Sequence, residues 1–497
     1  MVVNKVVTIV GGGPAGLLAA HRLVKRQNYE VHVYDKRSDL RKENPSMLRS
    51  YPIGLQERGL ECADPALRRA LEEAGTQITG VALQGGSSTR RMPREPSLYL
   101  DRNLIVWVML NHITSNAEKK ARGHGSSLHL HFEHTIERLD IDAKLLYVRH
   151  HPSADLLKSP KRDGSSQGVL LEQKFDGLIA ADGANSIVRR WLQALGEVNV
   201  EEEEIPNNYR TFSIPLLSHD ATQMLDPDRV HGWMLGDKTC LMVPDRWGYA
   251  SGVFIYPRED DPFEDMDVDS PDEVQAYFEK ISPKPYGLSK FIGPKEALDM
   301  ISRPYNYAST ARVDRLHARD CVLFLGDSAH AVSASVGQAC NAALQDVAKF
   351  DEVLTETGDH WHRSLLKFTE RRLKDILALH ELSDYSLPNP KDKWIQTEFI
   401  FRAISKKVLP TFISKHMSPM PNELLSTTNM SYSEILEQTE WWTQKVKRSM
   451  RATNGYESSG SSSSGGSSGG GGGLKRSPKS GNISLLDSSK RKMVRVR

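Results

Sequence analysis

The chain has 497 residues, enough for a large core in two or three domains, and its 65 Lys+Arg against 63 Asp+Glu leave a net charge of +2. That balance excludes a protein committed by charge alone to nucleic acid or to an anionic membrane surface. Four cysteines, Cys62, Cys240, Cys321 and Cys340, lack disulfide or zinc spacing, which fits a reducing, cytoplasmic compartment. No apolar run reaches the roughly 18–20 residues that span a bilayer. The first strand starts close to Met1, so no signal or transit peptide is expected.

In chain order, Val6-Val7-Thr8-Ile9-Val10 is a β-branched apolar run suited to a buried parallel strand. It enters Gly11-Gly12-Gly13-Pro14-Ala15-Gly16, in which Gly11, Gly13 and Gly16 have the G-x-G-x-x-G spacing. The first glycine permits the turn, the second lets backbone approach a pyrophosphate, and the third lets helix pack on strand. Leu17, Leu18, His21 and Leu23 give the next helix one face. Its N-terminal amides, Ala15 among them, aim partial positive charge at the phosphates. A second strand, Tyr29 to Tyr34, ends at Asp35, where a carboxylate can accept from ribose hydroxyls. An NAD(P) Rossmann fold is the rival reading, because Lys36 and Arg37 could hold a 2′-phosphate.

Downstream, Phe175 to Ala181 reads as another strand entering a turn, Asp182-Gly183-Ala184-Asn185-Ser186. Residues 205–305 show strand-like alternation, as in Arg210 to Ile214, Cys240 to Val243 and Tyr249 to Tyr256, and suggest a sheet roofing an active site. His231, Trp233 and Tyr307 are candidates for its substrate wall, although alternating aromatics equally fit plain sheet packing. The acidic stretch Glu259 to Asp272 reads as a solvated insertion.

The run Cys321 to Leu325 then enters Gly326-Asp327, and Gly337-Gln338-Ala339-Cys340-Asn341 opens a helix. Two distant glycine turns of this kind suit FAD, with the pyrophosphate held at one and the ribityl chain at the other. Asp327 can hydrogen-bond a ribityl hydroxyl, or it caps a helix. The helix after Gly337 would point its N-terminus at the flavin edge where negative charge collects on reduction.

The order G-x-G-x-x-G, D-G, G-D resembles the FAD-dependent aromatic-ring hydroxylases, a family of single-component flavoprotein monooxygenases. Arg49-Ser50, Leu55 and Arg58-Gly59, with Gly54 between them, are similar to a stretch of that family at identical spacing. Arg102-Asn103-Leu104 resembles its flavin-contacting arginine, and His131 to Ile136 resembles its strand along the adenine. Asp182-Gly183 looks like the element that serves both FAD and the visiting nicotinamide. The resemblance implies a GR2-type Rossmann-like α/β FAD domain and a β-sheet substrate domain. It also implies NAD(P)H as co-substrate and O2 activation through a flavin hydroperoxide to hydroxylate a small aromatic substrate. Such a cofactor carries the hard chemistry, which agrees with the lack of any evident metal-ligand cluster or catalytic triad. No catalytic side chain is assigned, and His330 reads as a structural hydrogen-bonding group.

Two departures matter. Relatives with an amino-acid substrate hold its head with an arginine and a tyrosine; residues 78–82 here lack arginine, and Arg94 falls near the tyrosine's place, which makes it a substrate-binding candidate. The family's loop proline and last glycine are Ala334 and Ala339 here. These alanines favour the alternatives of a reductase or dehydrogenase without oxygen insertion, or a non-catalytic FAD-binding regulator.

The expected partition is a discontinuous FAD domain (1–204 and 306–364, with a substrate-side segment near 75–100) and a sheet domain (205–305). A helical region (365–452) and a disordered Gly/Ser-rich basic tail (453–497) complete it. The amphipathic stretch Trp394 to Ile413 is either a packed helix or a peripheral membrane contact.

Overall fold

The computed structural model describes residues 4–460 except 27, 49, 86–87, 121–125, 152–167, 268–269, 283–286, 304–305, 390–391 and 409–416. The chain divides into two compact units, residues 1–333 with 337–373, and residues 334–336 with 374–497.

The first unit is built on a six-stranded sheet in the order β16-β17-β10-β1-β2-β6. Its strands are β1 (Lys5–Val10), β2 (Tyr29–Tyr34), β6 (Ser127–His131), β10 (Gly177–Ala180), β16 (His317–Ala318) and β17 (Val322–Phe324). All pair in parallel except the short edge strand β16. β1 is central, and Val7 to Val10 are buried because strands flank it and helices cover its faces. Helix α1 (Pro14–Lys25) begins on an extended Gly13 with Pro14 in its first turn, a residue whose fixed φ suits that position.

An eight-stranded sheet runs β15-β11-β14-β13-β12-β4-β5-β3. It contains β3 (Pro52–Leu55), β4 (Thr76–Gln84), β5 (Thr89–Asp101), β11 (Val200–Pro215), β12 (Arg229–Leu235), β13 (Lys238–Pro244), β14 (Tyr249–Pro257) and β15 (Asn306–Val313). This sheet therefore draws strands from outside residues 205–305, while part of that stretch is helical. After α2 (Glu57–Leu60), α3 (Pro65–Ala74), α4 (Arg102–Lys120) and α5 (Ile187–Ala194) come α6 (Pro271–Ile281) and α7 (Pro294–Ser302). Val274 and Phe278 of α6 and Ala297 and Met300 of α7 share one apolar cluster with Phe212, Trp233, Met242 and Phe254 of the sheet. Each large side chain so buried contributes roughly 1.5–3 kcal/mol. The acidic stretch is not wholly solvated: Phe263 is buried in the same cluster. A third, three-stranded antiparallel sheet comprises β7 (His134–Asp140), β8 (Leu145–His150) and β9 (Leu170–Lys174).

Helices α8 (Asp327–His330) and α9 (Ala339–Glu356) follow β17, and α10 (Trp361–Tyr385) runs on into the second unit. That unit contains α11 (Lys393–Val408), α12 (Pro421–Thr427) and α13 (Tyr432–Gly460). Its core joins Ile395, Met420, Trp442 and Val446, and the Trp442 indole N–H donates to the Ser386 carbonyl at 2.9 Å. Among the described residues no helix is long and apolar enough to cross a membrane. Helix α13 continues to Gly460, into the segment read from sequence as tail; residues 461–497 lie outside the described residues.

Candidate functional site

The first glycine turn is shaped by contacts that leave no room for side chains. Gly11 has φ +104°, and a Cβ on it would lie 2.3 Å from the Ala181 carbonyl oxygen, at the end of β10. A Cβ on Gly16 would lie 2.0 Å from the Gly11 carbonyl oxygen. Gly13 is open by comparison: the nearest atom to a Cβ there is Nη2 of Arg102, at 3.9 Å. The distant Gly326 turn joins this one, since a Cβ on Gly326 (φ +58°) would be 3.7 Å from the Cβ of Ala15. The two sequence-distant turns therefore lie side by side, with Arg102 next to Gly13.

Asp35 ends β2 as the sequence predicts, but its carboxylate is already occupied. Its oxygens accept from the Gly12 N–H at 2.8 Å, from the Arg37 N–H at 2.8 Å, and from Nε and Nη2 of Arg37 at 3.1 and 2.9 Å. Four donors fill the four lone-pair sites of a carboxylate. Burial raises its proton affinity, yet the Arg37 pairing and the two amide bonds outweigh this and hold the carboxyl below its ordinary value. Arg37 is thus folded onto Asp35, whereas the rival reading placed it on a 2′-phosphate. The segment before β7 braces the same corner: the Asp35 N–H donates to the His131 carbonyl at 2.9 Å and the His134 N–H to the Asp35 carbonyl at 3.0 Å. Ile136 sits half-buried on β7, opposite Val148.

The Asp182 and Asp327 turns face each other through Arg189, which is 1% exposed. Its guanidinium donates to the carbonyls of Ala184, Ser328 (2.9 Å) and Asp327 (3.3 Å), and pairs with Glu202. Sequence reasoning missed this residue as a functional one. Asp182 accepts from the Ile187 N–H at 2.8 Å, but its other carboxyl oxygen is buried without a partner. Gly183 has φ +84° and nothing within 4 Å of a Cβ. The Asp327 carboxylate accepts no hydrogen bond from the described residues; Arg102, His330 and Arg189 act on it only by charge. Burial pushes the carboxyls of Asp182 and Asp327 up. Two half-buried carboxylates with acceptor capacity to spare among the described residues are what a polyhydroxylated ligand would satisfy.

Ahead of α9, Gly337 has φ +65° and open space beside it. The Cys340 thiol, near Asp327 and Arg102, is pushed up to about 12, chiefly by burial. Asn341 has its whole side chain committed: Oδ1 accepts from the Gln56 N–H at 3.0 Å, and Nδ2 donates to the carbonyls of Gly54 (3.0 Å) and Gly337 (3.3 Å). It is a bracket between β3 and α9, so only its backbone N–H, in the first turn of α9, remains for a ligand. Gly54 itself backs onto Tyr99, 3.0 Å from a Cβ. Tyr51 and Tyr209, which the sequence did not single out, lie within electrostatic reach of Arg102 and Asp327. His330 is buried and bonds Asp346 at 2.5 Å, and Asp346 also accepts from the Gly326 N–H and from Arg372, both at 2.9 Å. This network fixes the Gly326 turn from behind.

The substrate-wall candidates are not brought together. Trp233 is 0% exposed inside the sheet–helix apolar cluster, and His231 spends both ring nitrogens, on Gln84 at 3.1 Å and on the Asp226 carbonyl at 2.9 Å. Packing and these hydrogen bonds account for both side chains. Tyr307 lies on β15 opposite Asn208, but its side chain, like the whole of Arg49, is outside the described residues. Arg94 is half-buried on β5, donates to the Tyr99 hydroxyl at 3.0 Å and lies 5.6 Å from that ring's centre. Among the described residues it has no acidic partner.

Comparison with known proteins agrees with this geometry. Residues 163–376 match the FAD binding domain family, and residues 9–41 match the NAD(P)-binding Rossmann-like domain. These matches support an FAD-dependent monooxygenase enzyme, with FAD as cofactor and NAD(P)H as reductant. It is similar to kynurenine 3-monooxygenase of Flavobacterium johnsoniae, at 25% identity over 82% of this chain and 85% of that one. The kynurenine 3-monooxygenase of Drosophila willistoni is also 25% identical, over 89% and 92%. Among solved structures, a 2-methyl-3-hydroxypyridine-5-carboxylic acid oxygenase shares the fold, with a TM-score of 0.59, 16% identity and coverage of 86% and 99%.

Proposed function

We propose that this monooxygenase hydroxylates a small aromatic acid, spending one NAD(P)H and one O2 to place one oxygen on the ring and release the other as water. Bound FAD supplies the electron transfer from NAD(P)H to oxygen. The chain's own residues bind, orient and shield. The N–H groups after Gly11 and Gly13 would hold the pyrophosphate, and Asp35 with the 131–136 segment would flank the adenosine. Asp327 and Asp182 would take hydroxyl and amide donors of the flavin half. The first-turn amides of α9, from Ala339 to Asn341, and Arg102 would face the ring system.

The observation that carries the substrate class is Arg94. A half-buried guanidinium with a phenol beneath it and no carboxylate partner among the described residues suits the anionic group of a bound ligand. Residues 78–82 lack the arginine with which relatives hold an amino-acid head, so a simpler aromatic carboxylate is favoured over kynurenine. Four free cysteines support a reducing, cytoplasmic location.

The test mixes purified yellow protein with NADPH, oxygen and a panel of aromatic carboxylates that includes kynurenine, and follows product mass. A gain of one oxygen on a simple aromatic acid, with Arg94→Ala raising its KM about tenfold or more, supports the reading. Hydroxylation of kynurenine in preference to every simpler acid, or hydrogen peroxide as the only oxygen product, overturns it.

A further inference from the structure

One face of the parallel pair β2–β6 carries Glu30 and His32 on one strand and His129 and His131 on the other. Residues two apart on a strand share a face, and the register sets His32 directly beside His129. The His32 and His129 rings stack at 4.6 Å with planes 17° apart. His32 Nε2 is 2.9 Å from the Glu30 carboxylate, while its Nδ1 is 3.1 Å from Nε2 of His131. One ligand atom each from Glu30, His32 and His129 lies within 4.8 Å of the other two, and His129 is exposed to solvent.

We infer that Glu30, His32 and His129 form a binding site for a divalent zinc-type metal ion, with His131 as the residue that orients His32. Two imidazole nitrogens and one carboxylate oxygen are a borderline donor set that suits Zn2+ and leaves a fourth position for water. A ligating histidine ordinarily hydrogen-bonds through its other nitrogen, and the His32–His131 contact supplies that bond. Among the described residues no lysine or arginine is paired with Glu30, so a cation meets no resident charge. The second histidine–carboxylate group, His21, Asp64 and His112, differs on this point. Lys25 already sits 2.6 Å from Asp64, whose carboxylate also accepts from His21 and from the amides of Ala66 and Leu67. A bound ion at Glu30 would cross-link β2 to the edge strand β6, the two strands that lead into Asp35 and His131.

Chelator-stripped full-length protein titrated calorimetrically with ZnCl2 tests the site, together with Glu30→Gln, His129→Ala and His112→Ala. One Zn2+ per chain is expected, bound at least about tenfold more weakly by Glu30→Gln and His129→Ala and normally by His112→Ala. Zinc should also raise the melting temperature of the parent protein but not of the first two variants. Zinc binding that survives both substitutions, that is lost only in His112→Ala, or that is absent from the parent protein overturns the inference. His129 is a surface residue, so its removal reads out metal binding without threatening the fold.

Discussion

Arg189 donates to the Ser328 carbonyl oxygen at 2.9 Å, and so one buried guanidinium holds the turn after Asp182 against the turn that carries Asp327. Replacing it with methionine strips the donor from several enclosed carbonyls, at roughly 1–3 kcal/mol for each one left unsatisfied. Arg189→Met should lower the melting temperature and the flavin content together. Arg189→Lys keeps the charge but not the fork, and should also bind FAD more weakly than the parent. Normal flavin affinity in the lysine variant would show that the fork geometry is irrelevant.

Gly11 cannot be replaced without moving the Ala181 turn, because a methyl group there meets a carbonyl oxygen at 2.3 Å and the residue has φ +104°. Gly11→Ala should yield colourless or largely unfolded protein. Gly183→Ala shares the positive φ but has open space, so its loss of stability should be only about 1–2 kcal/mol. Equal damage from the two substitutions, measured by denaturant unfolding and flavin absorbance, would contradict the packing argument.

Asp327 brings a half-buried carboxylate with no hydrogen-bond donor among the described residues. If a ligand hydroxyl supplies one, Asp327→Ala should weaken FAD binding by about ten- to hundredfold, the range for a hydrogen bond to a charged group. The apoprotein should not lose stability, since burying that charge unpaired is a cost. A variant that melts lower without flavin yet binds flavin normally would assign Asp327 a capping role instead.

Asp101, just before Arg102, gives a pH signature. Burial pushes its carboxyl from 3.8 up to about 6, against the opposing amide bonds from Ser50, Asn103 and Leu104. An acid with a raised folded-state value destabilises the fold as it ionises, so its penalty grows between about pH 4 and 6 and is constant above. The melting temperature of Asp101→Asn minus that of the parent should therefore rise across that window and then level off. A difference that stays flat from pH 4 to 7 would mean that the carboxyl titrates normally.

The parts of this site that were legible in sequence are those fixed by backbone geometry. Gly11, Gly16 and Gly326 are demanded by turns and close approaches that no other residue tolerates, and their spacing along the chain carries that demand directly. Arg189 was not legible as a site residue, because its partners Asp327 and Ser328 lie 138 and 139 positions away. His231 and Trp233 could not be assigned to a face, since alternation says that one side is buried but not what covers it. Arg37 was visible as a phosphate ligand; that it folds back on Asp35 two residues earlier depends on the turn after β2, which composition does not fix.

The strands of the two large sheets alternate along the chain. β1 and β2 precede β3 to β5, β6 and β10 come next, β11 to β15 follow, and β16 and β17 return to the first sheet. No single cut releases either sheet whole, and no continuous stretch encodes one. The eight-stranded sheet therefore cannot be exchanged by transplanting one continuous module. It has to change residue by residue, under the constraint that the coenzyme grip interleaved with it keeps folding.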